Sequence, residues 1–105
     1  MTSRRRPMER IGDLIPDAAR RLGLEDELRL ARATSTWAAL VAELVPPAAG
    51  ATRLAAIVGP AIIVEADHPI VAQELRLRSS ELLAAFAAAP GGVVCRELRV
   101  TVRRV

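Results

Sequence analysis

The sequence predicts a small α+β domain in the order α-α-β-β-α-β, with a three-stranded sheet covered by helices. Three observations carry this expectation. Residues 50–75 hold two short apolar runs, Thr52 to Val58 and Ala61 to Ala66. They are β-branched at Ile57, Val58, Ile62, Ile63 and Val64, with Gly59-Pro60 between them, which reads as strand, tight turn, strand. Before this unit, apolar residues recur at helical spacing; after it come another helical stretch and an alternating strand.

Taken in order, residues 1–8 form a basic arm containing Arg4, Arg5 and Arg6, expected to be flexible, and residues 9–105 form the single domain. Ile11, Leu14, Ile15, Ala18, Ala19 and Leu22 mark a first amphipathic helix over 9–22. Pro16 should kink it or mark its true start, and Gly23 after Arg20-Arg21 is a normal helix end. A second helix over 25–44 carries Leu28, Leu30, Ala33, Trp37, Leu40, Val41 and Leu44, with Glu25, Asp26 and Glu27 at its positive end. Trp37 lies on that stripe as a core anchor. Pro46-Pro47 ends the helix, and 46–51 is a loop. Consecutive apolar residues in 61–66 suit a strand that is central or covered on both faces. Asp67 or His68 can cap the next helix, and Pro69 suits its first position. That helix reads as unbroken over 69–88, with Val71, Leu75, Leu82, Ala85 and Phe86 buried and a favourable Glu74–Arg78 pair. Pro90-Gly91-Gly92 stops it. The last strand spans Val93 to Val105, where Leu98, Val100 and Val102 alternate with Arg99, Thr101 and Arg103, one face inside and one wet.

At 105 residues the chain can bury roughly two thirds of its unfolded surface, enough for a core without staples. Its only aromatics are Trp37 and Phe86, which argues against a platform that stacks exposed bases. Every one of the fifteen basic residues is Arg, so each cation is a planar fork suited to phosphate or carboxylate. Charge is uneven: +3 in the arm, −3 over 7–67 and +3 over 68–105. One acidic and two basic parts suit a protein that meets an acidic polymer with one face and a protein with another. Cys95 is single, which fits a reducing compartment. Ser3-Arg4-Arg5-Arg6 is not followed by an apolar export segment, and no run is long enough to span a membrane, so a cytoplasmic location is expected.

No constellation carries catalysis. His68 is the only histidine and reads as a capping or exposed residue; Cys95 has no partner at metal-ligand spacing; Gly91-Gly92 lacks the Lys-Ser/Thr of a phosphate loop. No enzyme activity, metal, cofactor or small-molecule substrate is expected. The remaining signal is basic surface. Arg76 and Arg78 can approach Arg96, Arg99, Arg103 and Arg104 if the last strand packs beside their helix, a line of forks able to hold phosphates without reading sequence. Charge alone does not separate that from an ordinary solvated face.

Leu22-Gly23-Leu24, Trp37 followed by Leu40-Val41, the apolar hairpin Leu54 to Val64, Val71-Ala72-Gln73-Glu74-Leu75, Leu82-Leu83 and Leu98-Arg99-Val100 occur in an order and spacing that resemble the DciA family, over about residues 10–104. The resemblance implies a K-homology-like fold and a role in bacterial DNA replication: a non-catalytic loader or operator of the replicative DNA helicase, contacting both helicase and DNA. The phosphate contacts would then come from Arg4, Arg5, Arg6, Arg76, Arg78, Arg96, Arg99, Arg103 and Arg104. The Gly-x-x-Gly loop with which K-homology domains clamp nucleic acid is missing, so single-stranded RNA recognition in that mode is not supported. The alternatives are an RNA- or ribosome-associated K-homology-like protein, and a protein-interaction module without nucleic-acid binding.

Overall fold

The computed structural model describes residues 7–103, with side chains described from residue 17 onward. The elements are α1 (Pro7–Leu44), a 3-10 turn (Pro46–Ala48), β1 (Thr52–Val58), β2 (Ala61–Ala66), α2 (Pro69–Leu77), α3 (Ser79–Ala88) and β3 (Glu97–Val102). The α+β class and the three-stranded sheet are as the sequence predicts.

The sheet order is β1-β2-β3, so the apolar strand β2 is central. It pairs antiparallel with β1 and parallel with β3. Gly59 takes the positive φ (56°) that a two-residue hairpin needs at this position. An extra residue between Leu54 and Ala56 bulges β1, bending the edge strand. Three cross-strand rows face the helices: Leu54–Val64–Val100, Ile57–Ile62–Leu98 and Thr52–Ala66–Val102. Ile62, Val64 and Ala66 are fully buried. The helices thus cover one face of β2; its consecutive apolar run reflects the central position rather than cover on both sides.

The C-terminal half of α1 supplies the facing layer. Ala33, Trp37, Val41 and Val45 form a row spaced by four, all buried. Trp37 meets Phe86 of α3 edge to face, with ring centroids 6.1 Å apart and planes at 79°. Thr34 Oγ1 donates to the Leu30 carbonyl one turn back and Thr36 Oγ1 to that of Pro90, both at 2.8 Å, the second tying α1 to the loop after α3.

Three expected boundaries are corrected. The predicted helices over 9–22 and 25–44 are one helix, continuous through Pro16 and Gly23. A single interior Gly costs only about 1 kcal/mol, which two flanking helical segments outweigh. In consequence Leu22 and Leu28 stand exposed instead of joining the core, as does Leu24, and among the described side chains burial on α1 begins at Ala33. The helix predicted over 69–88 breaks at Arg78, whose φ of −105° and ψ of 19° leave the α region. The last strand starts at Glu97, not Val93. Its partner β2 begins only at Ala61, and the Arg96 and Glu97 amides reach the Pro60 carbonyl to open the ladder. At the far end the Arg103 amide reaches the Ala66 carbonyl.

Capping also differs. Pro69 occupies the first turn of α2 as expected, but neither Asp67 nor His68 caps the helix with its side chain. Asp67 is engaged by Arg53 instead.

Arg76 links helix to sheet. Its Nη2 donates to the Val100 carbonyl at 2.8 Å. Alternate residues of β3 bond to β2, so Val100 directs its carbonyl to the open edge, which Arg76 partly covers. Arg76→Ala should lower stability by about 1 kcal/mol, the modest value expected of a partly exposed hydrogen bond, read as a shift in urea midpoint.

Candidate nucleic-acid interface

Local sequence places the described cations on two elements. Arg76 and Arg78 end α2, and Arg96, Arg99 and Arg103 run along and beside β3, all exposed. α2 and β3 are in contact, but Arg99 lies on the sheet face turned away from the helices while Arg76 and Arg78 belong to the helix layer, so the two sets do not share one face. Arg4, Arg5, Arg6 and Arg104 lie outside the described residues.

These cations are not equivalent. Arg78 is held by Glu74 at 3.0 Å and by Glu81 at 3.5 Å; the first of these is the pair expected from spacing. Arg99 Nε donates to Glu97 at 2.8 Å, and its Nη2 reaches the other carboxylate oxygen at 3.3 Å. Arg76 is committed to the Val100 carbonyl. Arg96 and Arg103 form no ion pair among the described residues, nor do Arg21 and Arg32 on α1. Arg21 and Arg32 were not singled out by sequence reasoning; the signal that marks them is their spacing of eleven residues along one line of a continuous helix, legible only once the helix is known to be unbroken.

The face of the sheet turned away from the helices carries the rows Arg53–Glu65–Thr101, Ala56–Ile63–Arg99 and Val58–Ala61–Glu97. Arg53 bridges Glu65 at 3.3 Å and Asp67 at 2.7 Å. With Asp67 and Arg103 included, its three cations meet three carboxylates, so this face is no cationic platform.

Two carboxyls are tuned by these pairs. The hydrogen bond from Arg53 holds Asp67 below the usual carboxylate range, with Arg103 and His68 adding weaker attraction. The hydrogen bond from Arg99 does the same to Glu97. A folded-state pKa below the unfolded one means that the unfolded chain binds more protons on acidification. The stability these pairs supply is therefore present above the ordinary carboxylate pKa of about 4 and is lost as pH falls through the lower folded value. Asp67→Asn should flatten the acid limb of a urea-midpoint profile between about pH 5 and pH 2.

The described residues hold no cluster of three or more His, Cys, Asp or Glu able to share a metal. Cys95 is buried and its thiol is pushed up by that burial, the opposite of an activated nucleophile. No helix among the described residues is long and apolar enough to cross a membrane.

Fold and surface together define a small two-layer α+β domain with exposed Arg residues on α2 and beside and along the edge strand β3. The chain belongs to the DciA family: the family model described as "Dna[CI] antecedent, DciA" matches residues 10–100. That family is associated with loading of the replicative helicase in DNA replication. No curated protein matches the sequence.

Proposed function

We propose that this protein is a non-catalytic adaptor that binds the replicative DNA helicase and DNA and assists placement of the helicase on DNA. The family match across residues 10–100 carries this reading. The surface supports it in two ways. Arg96 and Arg103, without carboxylate partners among the described residues, stand at the two ends of β3, and Arg76 of α2 reaches the same strand at Val100. They are the cations able to take phosphates at least cost, while Arg78 and Arg99 must exchange a carboxylate for a phosphate. Arg4, Arg5, Arg6 and Arg104 add to the same charge. The more acidic helical half, with Glu25, Asp26 and Glu27 on α1, is available to the protein partner.

The test is co-elution of the purified protein with the replicative helicase of its own organism, at about 0.15 M and about 0.5 M salt, where screening lengths differ roughly two-fold. A complex at both salts supports the adaptor reading; no complex at either overturns it. The DNA arm is read by anisotropy of a labelled oligonucleotide. Arg96→Glu with Arg103→Glu should weaken binding and lower the salt slope by about 0.7–0.9 for each phosphate no longer neutralised. An unchanged slope removes these two residues from the interface, and tighter binding to RNA than to DNA at equal salt favours the RNA-associated alternative.

A further inference from the structure

We infer that α1 is a hinged element whose N-terminal arm, residues 9–22, folds back about Leu22-Gly23-Leu24 and seats its apolar stripe in a groove on the domain body. This inference does not depend on the helicase reading.

The charge order around the hinge belongs to two helices rather than one. Arg20-Arg21 precede Gly23, and Glu25-Asp26-Glu27 follow it. Basic residues complement the negative end of a helix and acidic residues the positive end of the next, but inside an unbroken helix neither set has a terminus to complement. Gly23 itself has no packing reason in the straight form: a Cβ built there meets nothing within 4 Å. Glycine inside a helix favours the broken state about five-fold over alanine. Beyond the helical backbone bonds, the side-chain contacts across the junction among the described residues are weak. The ion pairs on either side, Asp17–Arg20 at 3.6 Å and Asp26–Arg29 at 3.7 Å, are all at least 60% exposed.

The groove and the arm match. Leu30, Ala56, Ile57 and Val93 wall a groove of about 380 Å³, with Asp26 and Arg29 at its rim, where α1 leaves the body. The arm carries an apolar stripe that includes Leu22, 62% exposed in the straight form. Antiparallel helices need a connection of only about 2–5 residues, which Gly23 to Glu25 supply. A 14-residue arm is about 21 Å long, enough to lie along the next four turns of α1. Its return brings Arg20 and Arg21 opposite Asp26 and Glu27, joining opposite charges across the turn.

The experiment places nitroxide labels at Asp13→Cys and Ala38→Cys in the full chain, with Cys95→Ala to remove the native thiol, and measures distances by pulsed electron resonance. A straight α1 separates these backbones by about 38 Å. The folded arm brings them within about 20 Å, since packed helices lie 8–10 Å apart. The expected result is a short-distance population whose ratio to the long one falls about five-fold in Gly23→Ala. Leu30→Glu, at a position already 37% exposed, should empty that population while circular dichroism shows the domain still folded. A single distance near 38 Å in both parent and Gly23→Ala overturns the inference. So does a short distance seen only between singly labelled copies, which gives the groove to a second copy. A short population that survives Leu30→Glu shows the arm folding elsewhere and also overturns it.

Discussion

Replacing Trp37 with alanine should cost about 3–5 kcal/mol of folding stability, the range for removing a large buried aromatic. Trp37 is fully buried and is the largest side chain in the core. It joins the α1 row to Phe86 of α3, so its loss opens a cavity between two helices and leaves the Phe86 ring without its aromatic partner. Against a total stability of about 5–15 kcal/mol for such a domain, the variant should be partly unfolded at 37 °C. Urea unfolding followed by far-ultraviolet circular dichroism reads the effect. Trp37→Phe should cost clearly less. It keeps a ring in the site and removes the indole Nε1, a buried donor without a hydrogen-bond partner among the described residues. Equal losses in the two variants would show that the site requires the full volume of the indole, which a single phenyl ring does not fill.

Gly92→Ala is expected to be the second severe change. A Cβ at this position would fall on the backbone carbonyl oxygen of Phe86 and within 2.8 Å of its carbonyl carbon. Backbone cannot rotate out of the way as a side chain can, so the end of α3 must shift and carry Phe86 with it. A loss of about 3 kcal/mol or more follows from this mechanism, with a drop of several degrees or more in Tm. Gly59→Ala is the control. Its φ is positive, at 56°, but the space around it is open. It should lose only about 1–2 kcal/mol, the left-handed penalty of a single residue. If both variants melt alike, crowding at Gly92 is relieved by a backbone adjustment of the loop alone.

The hairpin was legible in the sequence to the residue, because its signals are local: β-branched runs and a Gly-Pro turn. Trp37, Val41, Leu75, Leu82 and Phe86 were equally legible as core, since helical spacing records burial directly. The Arg78 break was hidden by the same spacing. Leu75, Leu82 and Phe86 keep a helical repeat across it, and neither Gly nor Pro marks it; packing of two short helices on one sheet makes the bend. The N-terminal half of α1 misled in the opposite sense, because Gly23 and the charges around it signal a stop that the straight helix does not take. For the candidate interface, composition identified the cations but not their partners. That Arg99 and Arg78 are carboxylate-bound while Arg96 and Arg103 are not depends on β3 register and on which residues follow Arg78 around its turn.

The parallel pairing of β2 with β3 sets the order in which the domain is completed. The chain leaves the ribosome with the hairpin formed by residues 52–66, but the strand that covers the other edge of β2 follows only after α2 and α3. Until residues 97–102 emerge, the most apolar strand of the protein offers a bare row of amides and carbonyls beside Ile62, Val64 and Ala66. Synthesis halted or clipped just before Glu97 therefore produces a sticky fragment rather than a slightly shortened domain.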